Sequence, residues 1–242
     1  KKTSNDYQIS SFFESMKILF VLHLPPPIHG SSMVGKYIKD SKIINTSFET
    51  NFINLSTSKT VDEIGKKPFV KVGRYFKILL QVIISLIKHN PKIVYLGINA
   101  KGIGFYKDFP IAVLTKLFNK KLVLHYHNKG VQLKQHKLLD NILYRILFKN
   151  TKVILLSKRL YKDVSKYVKK EDVFICPNGI PISVDLKESS LKVNDIPQLL
   201  FLSNLIESKG VFILLGALKI LNDNNVRFHC NFVGGAGDIS SE

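Results

Sequence analysis

The sequence predicts an α/β protein built on a doubly wound parallel sheet, and three observations predict it. Short apolar runs rich in β-branched residues alternate with longer stretches of helical periodicity, which is typical of repeated strand–helix–strand units. The candidate strands are apolar almost throughout, as strands covered on both faces must be. A segment of Pro, His and Gly, residues 25–30, follows the first strand, at the place where open α/β sheets bind ligands.

Each element follows from its own stretch of sequence. The predicted strands are Lys17–Leu22, Thr50–Asn54, Lys92–Leu96, Lys121–Tyr126, Lys152–Ser157 and Val173–Cys176. Apolar residues at helical spacing predict helices over Val72–Lys88 and Leu138–Phe148. In the first of these helices the recurring apolar positions are Val72, Phe76, Leu79, Ile83, Leu86 and Ile87.

Neither a transmembrane helix nor a secretory signal is predicted. The longest apolar stretch, Ile78–Ile87, is interrupted by Gln81 and Ser85 and is shorter than the roughly 20 residues that a bilayer requires. The apolar run after Met16 leads into His23 and three prolines, where a signal peptide would have a small-residue cleavage site. We therefore interpret that run as a buried strand.

The chain is predicted to hold two domains. Residues 16–182 form the first domain, and a polar stretch with little periodicity, residues 183–197, forms a linker. Residues 198–242 contain one further unit, with strand Gln198–Leu202, helix Gly210–Leu221 and strand Arg227–Val233. Because one such unit cannot cover both faces of its own sheet, we expect it to be the truncated start of a second domain.

Composition limits the class of protein and its partners. Apolar residues make up 45% and charged residues 22% of the 242 residues, which excludes a disordered chain. Two cysteines exclude a disulfide scaffold and a zinc ribbon, and they favour a cytoplasmic location. The net charge is +18, and between Lys116 and Lys170 fifteen Lys and Arg residues face two Asp. That basic region predicts an anionic partner, which is lipid, nucleic acid or a phosphorylated substrate.

Gly30–Lys36 matches the nucleotide-binding pattern G-x-x-x-x-G-K but is followed by Tyr37 instead of Ser or Thr. The missing hydroxyl would coordinate Mg²⁺, and no predicted strand ends in an Asp that could serve as its partner. A P-loop NTPase that uses Gly30–Lys36 is therefore an alternative function. Gly30, Ser31 and Ser32 can also bind an anion at a helix N-terminus, or form a simple turn.

His125 and His127 lie two residues apart near the end of a predicted strand, so both side chains are expected on the same side. A general base, or a donor to a phosphate or sugar hydroxyl, fits this position, and a hydrogen-bonded structural histidine is the alternative. No carboxylate or Cys accompanies the pair, so no metal site is predicted.

In their order along the chain, these motifs resemble those of the GT-B glycosyltransferases of family 4, particularly bacterial polysaccharide and capsule enzymes. The segments that carry the resemblance are Lys17–Leu22 with Pro25–Ser32, Asn90–Tyr95, Leu122–Asn128, Val153–Ser157, Val173–Gly179 and Leu200–Gly210. The resemblance implies two Rossmann-like domains with the donor held in the cleft between them. It also implies metal-independent transfer of a sugar from a nucleotide diphosphate to an acceptor hydroxyl, with no cofactor. The sequence contains no Asp-x-Asp, the carboxylate pair that would hold a metal-bound sugar nucleotide, and this agrees with metal-independent transfer.

The resemblance assigns roles to particular residues. Alignment by the strand end gives the site histidine as His127, with His125 beside it, while Gly30 and Ser31 lie near the donor phosphate and the acceptor. Lys209 would be the cation for the donor diphosphate, and Asn204 stands where the family commonly has an Arg. The two-glutamate signature that holds the donor sugar would follow Glu242, so we expect little activity from this chain alone.

The resemblance also implies partners. They are a nucleotide-sugar donor and a polysaccharide or lipid-linked acceptor, with docking of the basic region on the anionic inner face of the plasma membrane and no nucleic acid. A basic, Rossmann-type nucleic-acid-binding protein remains an alternative on charge alone.

Overall fold

The computed structural model describes residues 16–57, 68–179 and 196–235. The chain divides into two compact units, Lys1–Ile180 and Pro181–Glu242. Most of the predicted linker, residues 183–197, lies outside the described residues, and its role stays a prediction.

The first unit contains, within its described residues, a six-stranded parallel sheet with strand order β2-β1-β3-β4-β5-β6. The strands are β1 (Lys17–Leu22), β2 (Glu49–Asn54), β3 (Ile93–Ile98), β4 (Lys121–Tyr126), β5 (Thr151–Leu155) and β6 (Val173–Ile175). The predicted parallel α/β sheet is confirmed. The bounds of β1 and β4 agree with the prediction, whereas β3 continues through Gly97 and β5 ends before Ser157.

Helices connect the strands. They are α1 (Gly30–Asp40), α2 (Lys42–Ser47), α3 (Pro68–Lys88), α4 (Gly102–Leu117), α5 (Val131–Lys134), α6 (Leu138–Phe148) and α7 (Tyr161–Val164). The sequence analysis did not place α4, because it begins Gly-Ile-Gly and contains Pro110, and both residue types disfavour helix. None of the helices in the described part of the chain has the length and apolarity needed to cross a membrane.

The two faces of the six-stranded sheet are covered differently. We call the side covered by α3, α4 and α6 the α3 face; it holds a large apolar cluster that includes Leu19, Leu96 and Leu124. The opposite side, the α1 face, holds a smaller cluster of Ile18, Phe20, Leu22 and Leu24 under α1 and α2. This division follows from the alternation of side chains along each strand.

The structure shows which of the apolar positions of α3 face the core. The recurring positions Val72, Phe76 and Ile87 are exposed, whereas Ile78, Val82 and Leu86 are buried against the sheet. The helix is apolar around most of its circumference, so the spacing alone could not show which row faces the core.

The second unit contains β7 (Gln198–Leu202), α8 (Val211–Asp223) and β8 (His229–Val233), and its two strands pair in parallel. The helix begins after Gly210, which has a φ of 83° that glycine adopts without strain. At Gly234 a Cβ would collide with the Ser203 carbonyl, so the two strand ends can approach closely only with glycine there.

Candidate functional site

A cavity of about 240 Å³ opens at the carboxyl edge of the six-stranded sheet. The last two residues of β3, residues that follow β1, β3 and β4, and the start of α1 form it together, because the carboxyl ends of parallel strands share one edge. Its lining residues are His23, His29, Gly30, Ser31, Gly97, Ile98, Asn99, His127 and Asn128. The structure therefore brings together three of the predicted site residues, Gly30, Ser31 and His127.

The start of α1 is fixed by a reciprocal cap. The Ser32 N–H donates to His29 Nδ1 at 3.3 Å, and the His29 N–H donates to Ser32 Oγ at 2.9 Å. The buried Ser32 hydroxyl also donates to the Pro27 carbonyl at 2.8 Å. No protein acceptor in the described part of the chain takes the N–H of Gly30 or Ser31, so these two groups can meet a ligand.

The structure does not support the alternative of a P-loop at Gly30–Lys36, because these residues form the first turns of α1 and not a phosphate-binding loop. Gly35 has a packing role: a Cβ there would collide with the His23 carbonyl. Lys36 forms an ion pair with Asp40 on the exposed side of the helix.

His127 follows β4 directly and lies in the wall of the cavity. Burial lowers the pKa of its imidazole, and a hydrogen bond with the Asn178 side chain acts in the opposite direction. The ring is therefore neutral at pH 7, and its buried Nδ1 has no hydrogen-bond partner within the described residues. Sequence reasoning missed Asn178, although it lies in Pro177-Asn178-Gly179 after β6, at the same edge of the sheet.

His125 lies next to His127, with 4.2 Å between the ring centroids, as the two-residue spacing predicts. It does not line the cavity, however. Its side chain is buried beneath His127 and shares a 2.5 Å hydrogen bond with the Tyr95 hydroxyl. Burial, with a smaller effect of His127, lowers the pKa of His125 to about 3. His125 thus supports the His127 ring from below and stays neutral.

The sequence analysis also missed His23 and His29. His23 follows β1 as His127 follows β4, so the strand-end rule that identified His127 could have found it. Burial, followed by repulsion from Lys107 and, in acid, from protonated His29 and His127, lowers the pKa of His23 to about 3. Burial also lowers the pKa of His29. The cavity is therefore lined by three imidazoles that are neutral at pH 7.

Asn99 and Asn128 form a polar part of the cavity wall, and hydrogen bonds with neighbouring groups fix their positions. The carboxylate of buried Asp108 accepts the backbone N–H of Asn99 at 3.1 Å and its side-chain Nδ2 at 2.8 Å. Asn128 accepts the Ala100 N–H at 2.9 Å and donates to Asn99 Oδ1 at 3.2 Å. Burial raises the pKa of Asp108. The side-chain amides of this wall can donate hydrogen bonds to anions and exchange hydrogen bonds with hydroxyl groups.

Within the described residues, no group of three or more His, Cys, Asp or Glu side chains is arranged to hold a metal ion.

The other predicted site residues, Asn204 and Lys209, belong to the second unit. Asn204 follows β7, and next to it the Leu205 N–H donates to the carbonyl of Gly235 at 2.9 Å. Lys209 lies in a single turn, Glu207–Lys209, that precedes α8. Both side chains are exposed at the carboxyl edge of the two-stranded sheet.

Comparison with known proteins shows similarity of fold. No protein-family model and no curated protein sequence matches the chain. A solved structure assigned as a UDP-N-acetylglucosamine 2-epimerase, from Listeria monocytogenes, is 11% identical with a TM-score of 0.51; the alignment covers 91% of this chain and 62% of that one. HepE from Anabaena, in complex with UDP, is 15% identical with a TM-score of 0.50 and coverages of 93% and 70%.

These structures have GT-B glycosyltransferase-like folds. The first unit has a Rossmann-like fold of this kind. The chain spans 62% of the length of the epimerase. At 11–15% identity the similarity establishes the fold alone.

Proposed function

We propose that the protein is a metal-independent GT-B glycosyltransferase that moves a sugar from a nucleoside diphosphate to an acceptor hydroxyl in bacterial surface polysaccharide synthesis. The observation that carries the proposal is the cavity in which a neutral His127 lies beside the open N–H groups of Gly30 and Ser31. The fold supports it, because HepE, which has a similar fold, was solved with bound UDP.

The reaction breaks the bond between the anomeric carbon and the diphosphate, which leaves with the electron pair, and joins that carbon to the acceptor oxygen. The proton of the acceptor hydroxyl passes to the departing diphosphate, whose oxygen gains negative charge as its bond to the sugar breaks. A neutral imidazole can accept a hydrogen bond from that hydroxyl and orient it, which an imidazolium cannot do. His127 has this form because burial lowers its pKa, and Asn178 fixes its ring. We assign no protein nucleophile.

Negative charge builds on the departing diphosphate, and fixed donors and cations stabilise it. In the first unit the N–H groups of Gly30 and Ser31 lie at the positive end of α1, a helix of 11 residues. In the second unit we assign Lys209 as the cation and Asn204 as a hydrogen-bond donor to the diphosphate.

The test is release of nucleoside diphosphate by the natural protein from a panel of nucleotide sugars, with membrane extract as the source of lipid-linked or polysaccharide acceptor. We expect His127→Ala to lower kcat by about 100-fold, the cost of misplacing a reacting group by about 1 Å. The control is His136→Ala, an exposed histidine of the same unit outside the cavity. Equal rates for His127→Ala and the wild type would refute the role of His127, and conversion of the donor into a sugar isomer without diphosphate release would replace transfer by epimerisation.

A binding experiment tests the second unit separately. Lys209→Ala in the natural protein should weaken binding of the nucleoside diphosphate by about 1.5–3 kcal/mol, the range for hydrogen bonds to charged groups. Lys219→Ala, on the exposed side of α8, is the matched control and should leave the affinity unchanged. Titration calorimetry measures both, and equal affinities of the two variants would remove Lys209 from the site.

A further inference from the structure

The outer surface of α3 carries a row of exposed apolar side chains. Val72, Phe76, Leu80 and Ile84 are spaced by four residues, and each is between 43% and 64% exposed. The opposite row of the helix is buried against the sheet, so these side chains face away from the core. Ile87, which is 61% exposed, extends the row by another turn.

A second row lies on α6. Its core side is formed by Tyr144, Leu147 and Phe148, all buried. On the other side of the helix the exposed apolar residues are Leu138, Leu139, Ile142 and Ile146. Arg145 and Lys149 are exposed within the same arc, so the apolar row is interspersed with cations.

Both rows lie on one side of the first unit. The helices α3, α4 and α6 pack on the same cluster of the α3 face, and α4 contacts both α3 and α6. We call the exposed sides of α3 and α6 together the outer helix surface. Single exposed apolar residues are ordinary, but two rows of them on one layer of helices are the kind of patch that marks an interaction site.

The charge of the segment that contains α3, α4 and α6 indicates what kind of partner binds the outer helix surface. Residues 68–149 contain fifteen Lys and Arg residues and two acidic residues, Asp108 and Asp140, both of which are buried. On the outer helix surface itself the exposed cations include Lys77 and Lys88 of α3 and Arg145 and Lys149 at the end of α6, and no carboxylate among residues 71–149 is exposed. A nucleic acid would match the cations but would leave the apolar rows in water. An anionic bilayer matches both, since lipid phosphates meet Lys and Arg while apolar side chains enter the acyl boundary.

We propose that the outer helix surface is a membrane-binding face that lies on an anionic bilayer and inserts the apolar rows of α3 and α6 below the headgroups. This proposal names the surface that would carry out the docking on the plasma membrane that we expect from the sequence. It adds α3, which lies outside the basic region Lys116–Lys170. It rests on the proposed function, because membrane binding would bring the enzyme to a lipid-linked acceptor. Lipid binding is measured without sugar donor or acceptor, so an experiment can refute membrane binding without refuting glycosyl transfer, and the reverse.

The chain has no Trp, which allows a site-specific fluorescence test. Phe76→Trp places a single indole on the α3 row, and Ile43→Trp places one on α2, on the opposite side of the sheet, where Ile43 is 78% exposed. Vesicles of phosphatidylcholine with about 30% anionic phosphatidylglycerol, which makes the surface potential negative, should shift the Phe76→Trp emission to the blue. Acyl-brominated lipid should quench it, and the Ile43→Trp emission should stay unchanged.

Vesicle co-sedimentation gives the second measurement. The double variant Phe76→Glu, Leu80→Glu should bind the anionic vesicles at least about 10-fold more weakly than the wild type, because carboxylates oppose both insertion and the lipid charge. Ile43→Glu should bind as the wild type does. Binding of the wild type should weaken with added salt and be much weaker to pure phosphatidylcholine.

Three results would overturn the proposal. They are absence of binding to the anionic vesicles, equal binding by the double variant and the wild type, and equal blue shifts for the two Trp variants. A blue shift of Phe76→Trp without lipid that grows with protein concentration, together with a dimer in light scattering, would instead assign the surface to a second copy of the chain.

Discussion

The two faces of the six-stranded sheet differ in what they bury, and the difference is visible within one strand. On β4, Leu122, Leu124 and Tyr126 point into the large cluster of the α3 face. His125 points to the α1 face, where it contacts Tyr95, and His127 continues on that side into the cavity. One face of the strand therefore stabilises the fold and the other presents the candidate chemistry.

The comparison shows how a buried strand can carry a functional site. A titratable side chain is costly to bury, and here the imidazoles remain neutral and lie near other polar groups. The large cluster on the opposite face supplies the stability that holds them in place. Three predictions test this division, beginning with the largest expected effect.

The first prediction compares the stability lost when neighbouring residues on the two faces of β4 are changed to alanine. Leu124→Ala removes a fully buried side chain from the α3 face and should lower the free energy of unfolding by about 3 kcal/mol. Val123→Ala removes a partly exposed side chain from the other face and should cost about 1 kcal/mol. Urea unfolding measures both. Equal losses would mean that the α3 face does not dominate the stability.

The second prediction is that loss of stability in acid originates on the α1 face. The pKa values of His23 and His125 are lowered to about 3 in the folded protein, so the unfolded chain takes up these protons first. Stability is therefore complete above the unfolded pKa of about 6.5 and falls as the pH drops toward 3, by up to about 1.4 kcal/mol per pH unit for each histidine.

His125→Gln should remove one proton from that dependence and so flatten the curve of unfolding free energy against pH. Tyr126→Phe, the adjacent residue on the α3 face, is the control and should leave the slope unchanged. Urea midpoints at several pH values between about 4 and 7 give the slopes. An unchanged slope in His125→Gln would place the acid sensitivity elsewhere.

The sequence predicted the sheet better than its surroundings. The bounds of β1 and β4 could be predicted because each is a continuous apolar run that ends at polar or turn-forming residues. The orientation of α3 could not, because both Phe76 on its exposed side and Val82 on its core side are apolar. Only tertiary packing distinguishes the two rows.

The site was predictable where strand ends determine it. His127 was placed correctly in space because it follows a strand whose bounds were clear. His29 was not found, because its role as the cap of α1 depends on the geometry of a turn and not on a strand pattern. The packing of Gly35 against the His23 carbonyl was not found either, because the spacing of a nucleotide-binding pattern does not show it.

The last prediction, with the smallest expected effect, compares two tyrosines on opposite faces, half-buried Tyr95 and fully buried Tyr126. The Tyr95 hydroxyl, on the α1 face, shares a 2.5 Å hydrogen bond with His125, whereas the Tyr126 hydroxyl has no hydrogen-bond partner within the described residues. Tyr95→Phe should cost about 1.5 kcal/mol, because it leaves His125 Nδ1 buried without its partner. Tyr126→Phe should be neutral or slightly stabilising, because it removes a hydroxyl that is buried without compensation. Thermal and urea unfolding measure the change in unfolding free energy for each variant. Equal changes would show that the hydrogen-bonded Tyr95 hydroxyl contributes no more to stability than the unpartnered Tyr126 hydroxyl.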